Sequence, residues 1–272
     1  MTGISPGASS PALGELLAAG ERWLARRGVE DGRRSCEWLA ARVLGLPRLR
    51  LPLEGRRLPT PRQLAALRRG VARLGTGEPL QYVLGEWDFR GRTLKVDRRA
   101  LIPRPETEQL VQLVLDEGEV WRVPRPAICD VGTGGGCIVV SLAAERPAGR
   151  YLAVEREAGA LALARENAVR CGVAERIRFR QGEGCAGVAA AGLDAVVSNP
   201  PYIATGALEG LPRPVRDFEP RQALDGGADG LAVLRDVIHD AALALRPGGW
   251  CFLEIGEEQG EAVRELLEKT GF

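Results

Sequence analysis

Asp130-Val131-Gly132-Thr133-Gly134-Gly135-Gly136-Cys137 joins a short apolar run, Ala127–Val131, to a longer one, Ile138–Glu145. Glycines between two such runs let the chain reverse tightly and set bare backbone at the start of a helix. The flanking sequence repeats the strand–helix unit. Tyr151–Val154 precedes the helix-like Ala158–Cys171, Ile177–Arg180 and Leu193–Ser198 follow, and Leu231–Leu245 leads into Trp250–Ile255. This alternation predicts an α/β fold, a doubly wound and mostly parallel sheet with helices on both faces.

The front of the chain reads differently. Residues 1–11 are small, polar and rich in Pro and Gly, and are expected to fray. Three helical periods follow: Leu13, Leu16, Leu17, Trp23 and Leu24; Cys36, Trp38, Leu39, Val43 and Leu44; Leu64, Leu67, Val71 and Leu74. Gly28, Gly45 and Gly75 stand where each would stop, and Thr60-Pro61 suits an N-cap and first helical residue. We read 1–78 as a helical domain and 79–104 as a linker. In that linker Trp87, Phe89, Leu94 and Val96 alternate about Arg90-Gly91-Arg92 as a β-hairpin. Pro103-Arg104-Pro105 is stiff and extended before a helix near Glu106–Leu115, which opens a third region, 105–272.

Composition removes several chemistries. The charge-free run Val131–Ala144 has 14 residues, against about 20 for a bilayer span, so no transmembrane helix is expected. The first twenty residues lack a basic segment followed by an apolar core, which argues against a secretory signal and for a cytoplasmic protein. The six cysteines, Cys36, Cys129, Cys137, Cys171, Cys185 and Cys251, form no C-x-x-C pair and read as free buried thiols. His239, the sole histidine, lies in a helix-like run, so neither a multi-histidine metal site nor histidine acid–base chemistry is expected. Charge is uneven. Residues 1–100 carry 19 basic against 10 acidic residues (+9), and residues 101–272 carry 18 against 26 (−8). The basic half suits either a polyanion partner or a solvated helical surface, and no aromatics interleave its arginines as a nucleic-acid platform would require.

The glycine loop lacks the glycine at 137 that a dinucleotide fingerprint needs, and no Gly-Lys-Ser/Thr follows for a phosphate loop. Glu155 closes the second strand 19 residues after Gly136, where a carboxylate can accept two ribose hydroxyls. Glu183 follows the third strand, where a polar group faces an adenine amino group. An adenosine-bearing ligand with little demand for phosphate binding fits S-adenosyl-L-methionine better than a nicotinamide dinucleotide.

The fourth strand runs into Asn199-Pro200-Pro201-Tyr202. Ligands collect outside the carboxyl ends of strands in a doubly wound sheet, so this tetrapeptide should stand beside the loop. Two prolines stiffen the backbone and remove two N–H donors. The Asn199 side-chain carbonyl and the Pro200 backbone carbonyl can then accept from one planar –NH2 group, with Tyr202 as a flat stacking face. Two acceptors orient an otherwise poor nucleophile, and fixed dipoles meet the positive charge that develops on nitrogen.

With these residues the chain resembles the class I, Rossmann-like S-adenosylmethionine-dependent methyltransferases that act on exocyclic or amide nitrogen. Within them, Pro79-Leu80-Gln81-Tyr82, Leu101-Ile102-Pro103-Arg104-Pro105-Glu106-Thr107-Glu108 and Phe218-Glu219-Pro220-Arg221-Gln222-Ala223-Leu224 resemble the peptide-chain release factor glutamine methyltransferases (the PrmC/HemK family). The resemblance runs from about residue 12 to the C-terminus. It implies methyl transfer to the glutamine side chain in the Gly-Gly-Gln loop of class I release factors. It also implies cofactor contacts at Gly132, Thr133, Gly134, Gly135, Gly136, Glu155, Glu183, Gly184 and Asn199. The glutamine site would be Asn199, Pro200, Pro201 and Tyr202, with Asn199, Pro200 and Tyr202 catalytic and no metal. A monomer is expected that docks its substrate through the basic helical domain, without membrane or nucleic acid.

Two departures stand out. Glu155 and Glu183 occupy positions where many relatives carry Asp. The class I fold closes with an antiparallel strand pair after its last helix, whereas this chain stops at Gly271-Phe272, near the end of a helix at about Glu258–Lys269. Five strands are expected where seven are usual, so that either the chain is truncated, or a partner or altered packing covers the sheet edge. The rival readings are an amino-methyltransferase of adenine or guanine in DNA or RNA, and a non-catalytic S-adenosylmethionine-binding protein. An NAD oxidoreductase ranks behind both.

Overall fold

The computed structural model describes residues 11–185 and 192–272. Apart from Pro11, the segment expected to fray lies outside them. The chain divides into two compact units, Met1–Gly85 and Glu86–Phe272. The division falls inside the segment read as a linker, and the hairpin groups with the second unit.

The first unit contains α1 (Leu13–Ala25), α2 (Gly32–Leu44), α3 (Pro61–Leu74) and α4 (Leu80–Leu84). Leu13, Leu17 and Leu24 of α1, Leu39, Ala40 and Leu44 of α2, and Leu67 and Leu74 of α3 form its core. The Thr60 hydroxyl accepts from the Gln63 N–H at 3.3 Å, and Gln63 Oε1 accepts from the Thr60 N–H at 3.0 Å, a reciprocal cap. Gly45 ends α2 in the left-handed region at φ 65°. The sequence pattern missed α4, which is one turn held from outside. The Arg73 guanidinium bonds both Glu78 oxygens at 2.8 and 2.9 Å and the Tyr82 carbonyl at 3.0 Å.

In the second unit, β1 (Glu86–Phe89) and β2 (Arg92–Lys95) form the expected hairpin, turning on Arg90-Gly91 alone, with Arg92 already in the strand. Both turn residues have positive φ, 46° and 69°, which matches the twist of a two-residue hairpin. Arg90 is held there by Glu108 through its N–H (2.8 Å) and by both Glu145 oxygens through its guanidinium (2.8 and 2.9 Å). Next come α5 (Pro105–Asp116) and α6 (Gly118–Trp121).

The sheet then forms from β3 (Ala127–Val131), α7 (Cys137–Glu145), β4 (Arg150–Glu155), α8 (Ala158–Arg170), β5 (Ile177–Gln181) and β6 (Leu193–Ser198). After α9 (Arg213–Phe218) and α10 (Ala232–Ala244), β7 (Leu245–Leu253) completes it, and α11 (Gly260–Thr270) follows. The strand order is β5-β4-β3-β6-β7, all parallel. Side chains alternate across it. Ile128, Ala153, Ala195 and Val197 meet α5 and α7 on one face, while Cys129, Val131, Val154 and Val196 meet α10 on the other. The last strand begins earlier than its apolar run suggests. Leu245 pairs Leu193 and Trp250 pairs Ala195, so Arg246–Gly249 bulges out of register. Arg246 anchors the bulge by donating to Asp194 at 2.7 Å. Among the described residues this parallel sheet has five strands, with β5 and β7 at its edges.

Gly70 of α3 lies so close to Leu39 that a β-carbon there would stand 2.5 Å from its methyl group. Alanine gains about 1 kcal/mol of helix propensity, but overpacking costs about 1–3 kcal/mol. Gly70→Ala is expected to lower stability in urea unfolding, and a rise would show that Leu39 yields freely.

Candidate functional site

From β3 the chain winds outward to β5, then returns to β6 and β7 on the other side, so β3 and β6 flank the switch point. At that point a cavity of about 470 Å³ opens, within the ~300–1,000 Å³ usual for small-molecule sites. The Gly132–Gly135 loop, Glu155, Glu183, Gly184, Asn199 and Pro201 help to line it.

The loop is built from backbone. The N–H groups of Gly132 and Thr133 both donate to the Val154 carbonyl, at 2.9 and 3.0 Å, and Gly136 donates to Thr133 at 2.8 Å. Gly132, Gly134 and Gly136 have φ of 70°, 54° and 84°, which side chains rarely adopt. Gly136 packs against α8, where a β-carbon would lie 3.0 Å from Ala164. Glu155 is 8% exposed. One of its oxygens accepts from the Gly134 N–H and the other from the Glu157 N–H, each at 2.9 Å. These bonds fix the carboxylate and leave it lone pairs for a ligand.

The other predicted cofactor residues differ in character. The Glu183 side chain is 80% exposed and lies 4.0 Å from Arg156. Gly184 has φ 55°, and a β-carbon there would collide with Asp240, whose carboxylate accepts from the Cys185 N–H at 2.9 Å. His239, read as an ordinary helix position, also reaches the rim of the cavity from α10.

Asn199 sits one residue beyond β6. Its Nδ2 donates to the Thr107 hydroxyl at 3.0 Å, and Thr107 donates to Glu254 Oε2 at 2.7 Å. Of the tetrapeptide, Asn199 and Pro201 line the cavity. Pro200 is buried, and Tyr202 is half-buried against the Leu234, Ile238 and Val263 cluster. Burial holds the Tyr202 phenol above its ordinary range, with the Glu254 carboxylate adding to the effect.

Sequence reasoning gave no role to three buried polar anchors. Glu219 accepts from the Ile102 N–H at 3.1 Å and from Arg104 at 2.6 Å, tying together two segments of the cavity wall. Asn167 bonds Gly135 and both backbone groups of Lys95, fixing the loop to the hairpin. Asp130 accepts from Thr133 at 2.5 Å and from the Val139 N–H at 3.2 Å through one oxygen, while its buried Oδ1 has no partner. Glu219 and Asp130 lie within motifs that the sequence displays, but nothing local marks their partners. Asn167 carries no signal at all.

Comparison with known proteins follows the same division of the chain. A family model described as the PrmC N-terminal domain matches residues 15–85, and one described as a methyltransferase small domain matches residues 110–210. The chain is 42% identical over 251 residues to a release factor glutamine methyltransferase from Geobacter sulfurreducens, covering 92% of this chain and 86% of the relative. Its identity to one from Moorella thermoacetica is 42% over 260 residues, covering 96% and 89%. Among solved structures, the hMettl16 catalytic domain in complex with MAT2A 3'UTR hairpin 1 matches with a TM-score of 0.54 and 20% identity. That match covers 74% of this chain and 72% of the other. At that identity the likeness concerns the fold. No helix among the described residues is long and apolar enough to cross a membrane.

Burial pushes the Asp130 carboxyl up to about 7, partly opposed by its bonds from Thr133 and Val139. An unfolded aspartate titrates near ~3.9. The folded chain therefore holds this proton more tightly, and the stability it contributes is full below about pH 4 and lost as pH rises through about 7. Asp130→Asn keeps an oxygen for Thr133 and Val139 but cannot ionise. Urea unfolding is expected to show the variant gaining stability relative to the parent between pH 4 and 8. A constant difference across that range would place the titration elsewhere.

Proposed function

Since the chain belongs to the release factor glutamine methyltransferase family, we propose that it moves a methyl group from S-adenosyl-L-methionine to a glutamine side-chain amide nitrogen. The acceptor is the glutamine of the Gly-Gly-Gln motif in class I peptide chain release factors. One observation carries the reading. Asn199, with its amide nitrogen engaged by Thr107, lines the same cavity as the glycine loop and the Glu155 carboxylate.

The cavity suits the cofactor. Backbone at Gly132 and Gly134 lies open beside Glu155, whose remaining lone pairs can take two ribose hydroxyls. Gly182–Gly184 offers a wall for the adenine, with Glu183 at its outer edge. Bound there, S-adenosyl-L-methionine supplies an electrophilic methyl carbon and leaves as S-adenosyl-L-homocysteine.

The protein's part is orientation. Asn199 Oδ1 and the Pro200 carbonyl accept the two hydrogens of the substrate amide and turn its nitrogen lone pair toward the methyl carbon. As the N–C bond forms and the C–S bond breaks, positive charge grows on nitrogen, and these two dipoles would meet it. One proton then leaves the nitrogen for solvent. Well-aligned reactants save up to about 7–11 kcal/mol of barrier, which removes the need for a histidine base. Tyr202, packed against the Leu234, Ile238 and Val263 cluster, braces the tetrapeptide rather than stacking on the amide, and Pro201 keeps it stiff. The proposal extends to the basic helical unit as the docking surface for the release factor, and to an enzyme that works in the cytoplasm as a monomer.

Incubation with radiolabelled S-adenosyl-L-methionine is expected to label a class I release factor but not its Gly-Gly-Ala variant, DNA or RNA. Label on nucleic acid alone would transfer the assignment to base methylation, and binding without transfer would mark a non-catalytic protein. Asn199→Ala is expected to cut turnover by about 10²–10³-fold with cofactor affinity within a few-fold. Glu155→Ala is expected to weaken cofactor binding by about 10–100-fold, the loss of charged hydrogen bonds worth ~1.5–3 kcal/mol. Calorimetry with the cofactor alone checks it.

A further inference from the structure

An asparagine amide is nearly symmetric in shape, so rotating it by half a turn exchanges oxygen and nitrogen with little steric change. For Asn199 the exchange is decisive. With Oδ1 toward the substrate it accepts from an –NH2 group, and with Nδ2 toward the substrate it presents a donor to a donor. Packing cannot choose between the two states, but hydrogen-bond partners can.

Thr107 by itself does not choose either, since a hydroxyl donates or accepts as its surroundings require. Glu254 removes that freedom. An ionised carboxylate only accepts, and its Oε2 takes the Thr107 proton at 2.7 Å. The hydroxyl then has only lone pairs left for Asn199, which meets them with Nδ2 at 3.0 Å. We propose that Thr107 and Glu254 are positioning residues, a two-step relay that locks the Asn199 amide with its carbonyl toward the substrate nitrogen. This rests on the reading of Asn199 as the acceptor for that nitrogen.

The fold gives the relay a rigid base. Ser198 and Leu253 are paired across β6 and β7, so Asn199 and Glu254 are the next residues on neighbouring strands. The Glu254 N–H donates to the Ser198 carbonyl at 3.0 Å, extending the ladder by one bond. Thr107 comes from the first turn of α5 and is 2% exposed, so little water competes for its hydroxyl. Donation by Nδ2 also concentrates electron density on Oδ1. The Glu254 carboxyl, raised by burial, is drawn back toward its ionised form by its bond from Thr107 and by the Asn199 side chain itself. Both effects favour positive charge on the substrate nitrogen, and so act on the transition state more than on binding.

The test is steady-state methylation of a class I release factor by the full chain. Thr107→Val keeps shape and loses the hydroxyl. Its kcat is expected to fall at least tenfold, with KM for the release factor and cofactor affinity within threefold. Thr107→Ser, which restores the hydroxyl, is expected to return kcat to within threefold of the parent. Glu254→Gln, nearly unchanged in size, can donate to Thr107 as well as accept, and is expected to fall at least threefold in kcat alone. A fall under threefold in Thr107→Val, or a serine variant as slow as the valine one, overturns the relay. Should Thr107→Val unfold below the assay temperature, Glu254→Gln decides, and turnover equal to the parent's overturns the proposal. Asn199→Ala measured alongside separates the two levels. Its loss of turnover beside an active Thr107→Val sinks the relay alone, whereas its retention of turnover sinks the site reading and the relay together.

Discussion

Backbone hydrogen bonds that hold β3, β4, β6 and β7 in parallel register decide where the chemistry can occur. Val131 is level with Val154 on one side and Ser198 on the other, and Ser198 with Leu253 on the next strand. The residues that follow, Gly132, Glu155, Asn199 and Glu254, therefore emerge together along one edge of the sheet. A slip of one residue in any pair would turn its side chains to the opposite face. It would also move Glu155 away from the Gly134 N–H and Glu254 away from Thr107. The buried faces forbid that slip, because Val131, Val154 and Val196 must meet α10 while Ala153 and Val197 meet α7. Hydrophobic packing in this way sets the positions of polar groups that it never touches.

Much of this was legible in the chain. Ala127–Val131 and Leu193–Ser198 coincide with β3 and β6, since buried parallel strands read as continuous apolar runs. The glycine loop and Glu155 were visible because their signals are local: a turn that only glycine tolerates, and an acid at a strand end. Asn199 was visible because two prolines follow it at the end of such a strand. The remainder depends on partners distant in sequence. Glu219 is 117 residues from Ile102, and Thr107 is 147 from Glu254. No periodicity marks which acid will meet which donor. The early start of β7 was hidden because Leu245 reads as the end of the helix-like run and Pro247-Gly248-Gly249, residues rare inside strands, form a bulge before Trp250.

The excess of acid in the second half of the chain takes on a meaning here. Glu155 fixes Gly134, Glu219 fixes Ile102 and Arg104, Asp240 fixes Cys185, and Asp194 fixes Ala127 and Arg246. Each carboxylate accepts from a backbone N–H of another segment, and two of them add an arginine. These acids serve as brackets around the site, and none is required to transfer a proton. That division agrees with chemistry in which the reacting nitrogen is oriented and its charge is met by fixed dipoles.

Carboxylates suit such bracketing because they are acceptors only, whereas hydroxyls and amides can reverse their roles. A hydroxyl bonded to a carboxylate loses its ambiguity, and an amide bonded to that hydroxyl loses its own. Along Glu254, Thr107 and Asn199 the polarity runs in one direction, from a charge to the atom that faces the substrate. Asp130 shows the opposite arrangement. One of its oxygens receives two donors while the other is buried with none, and the acid is pushed up to about 7. Burial is the larger effect on Asp130, and the two bonds that reach one of its oxygens oppose it only in part.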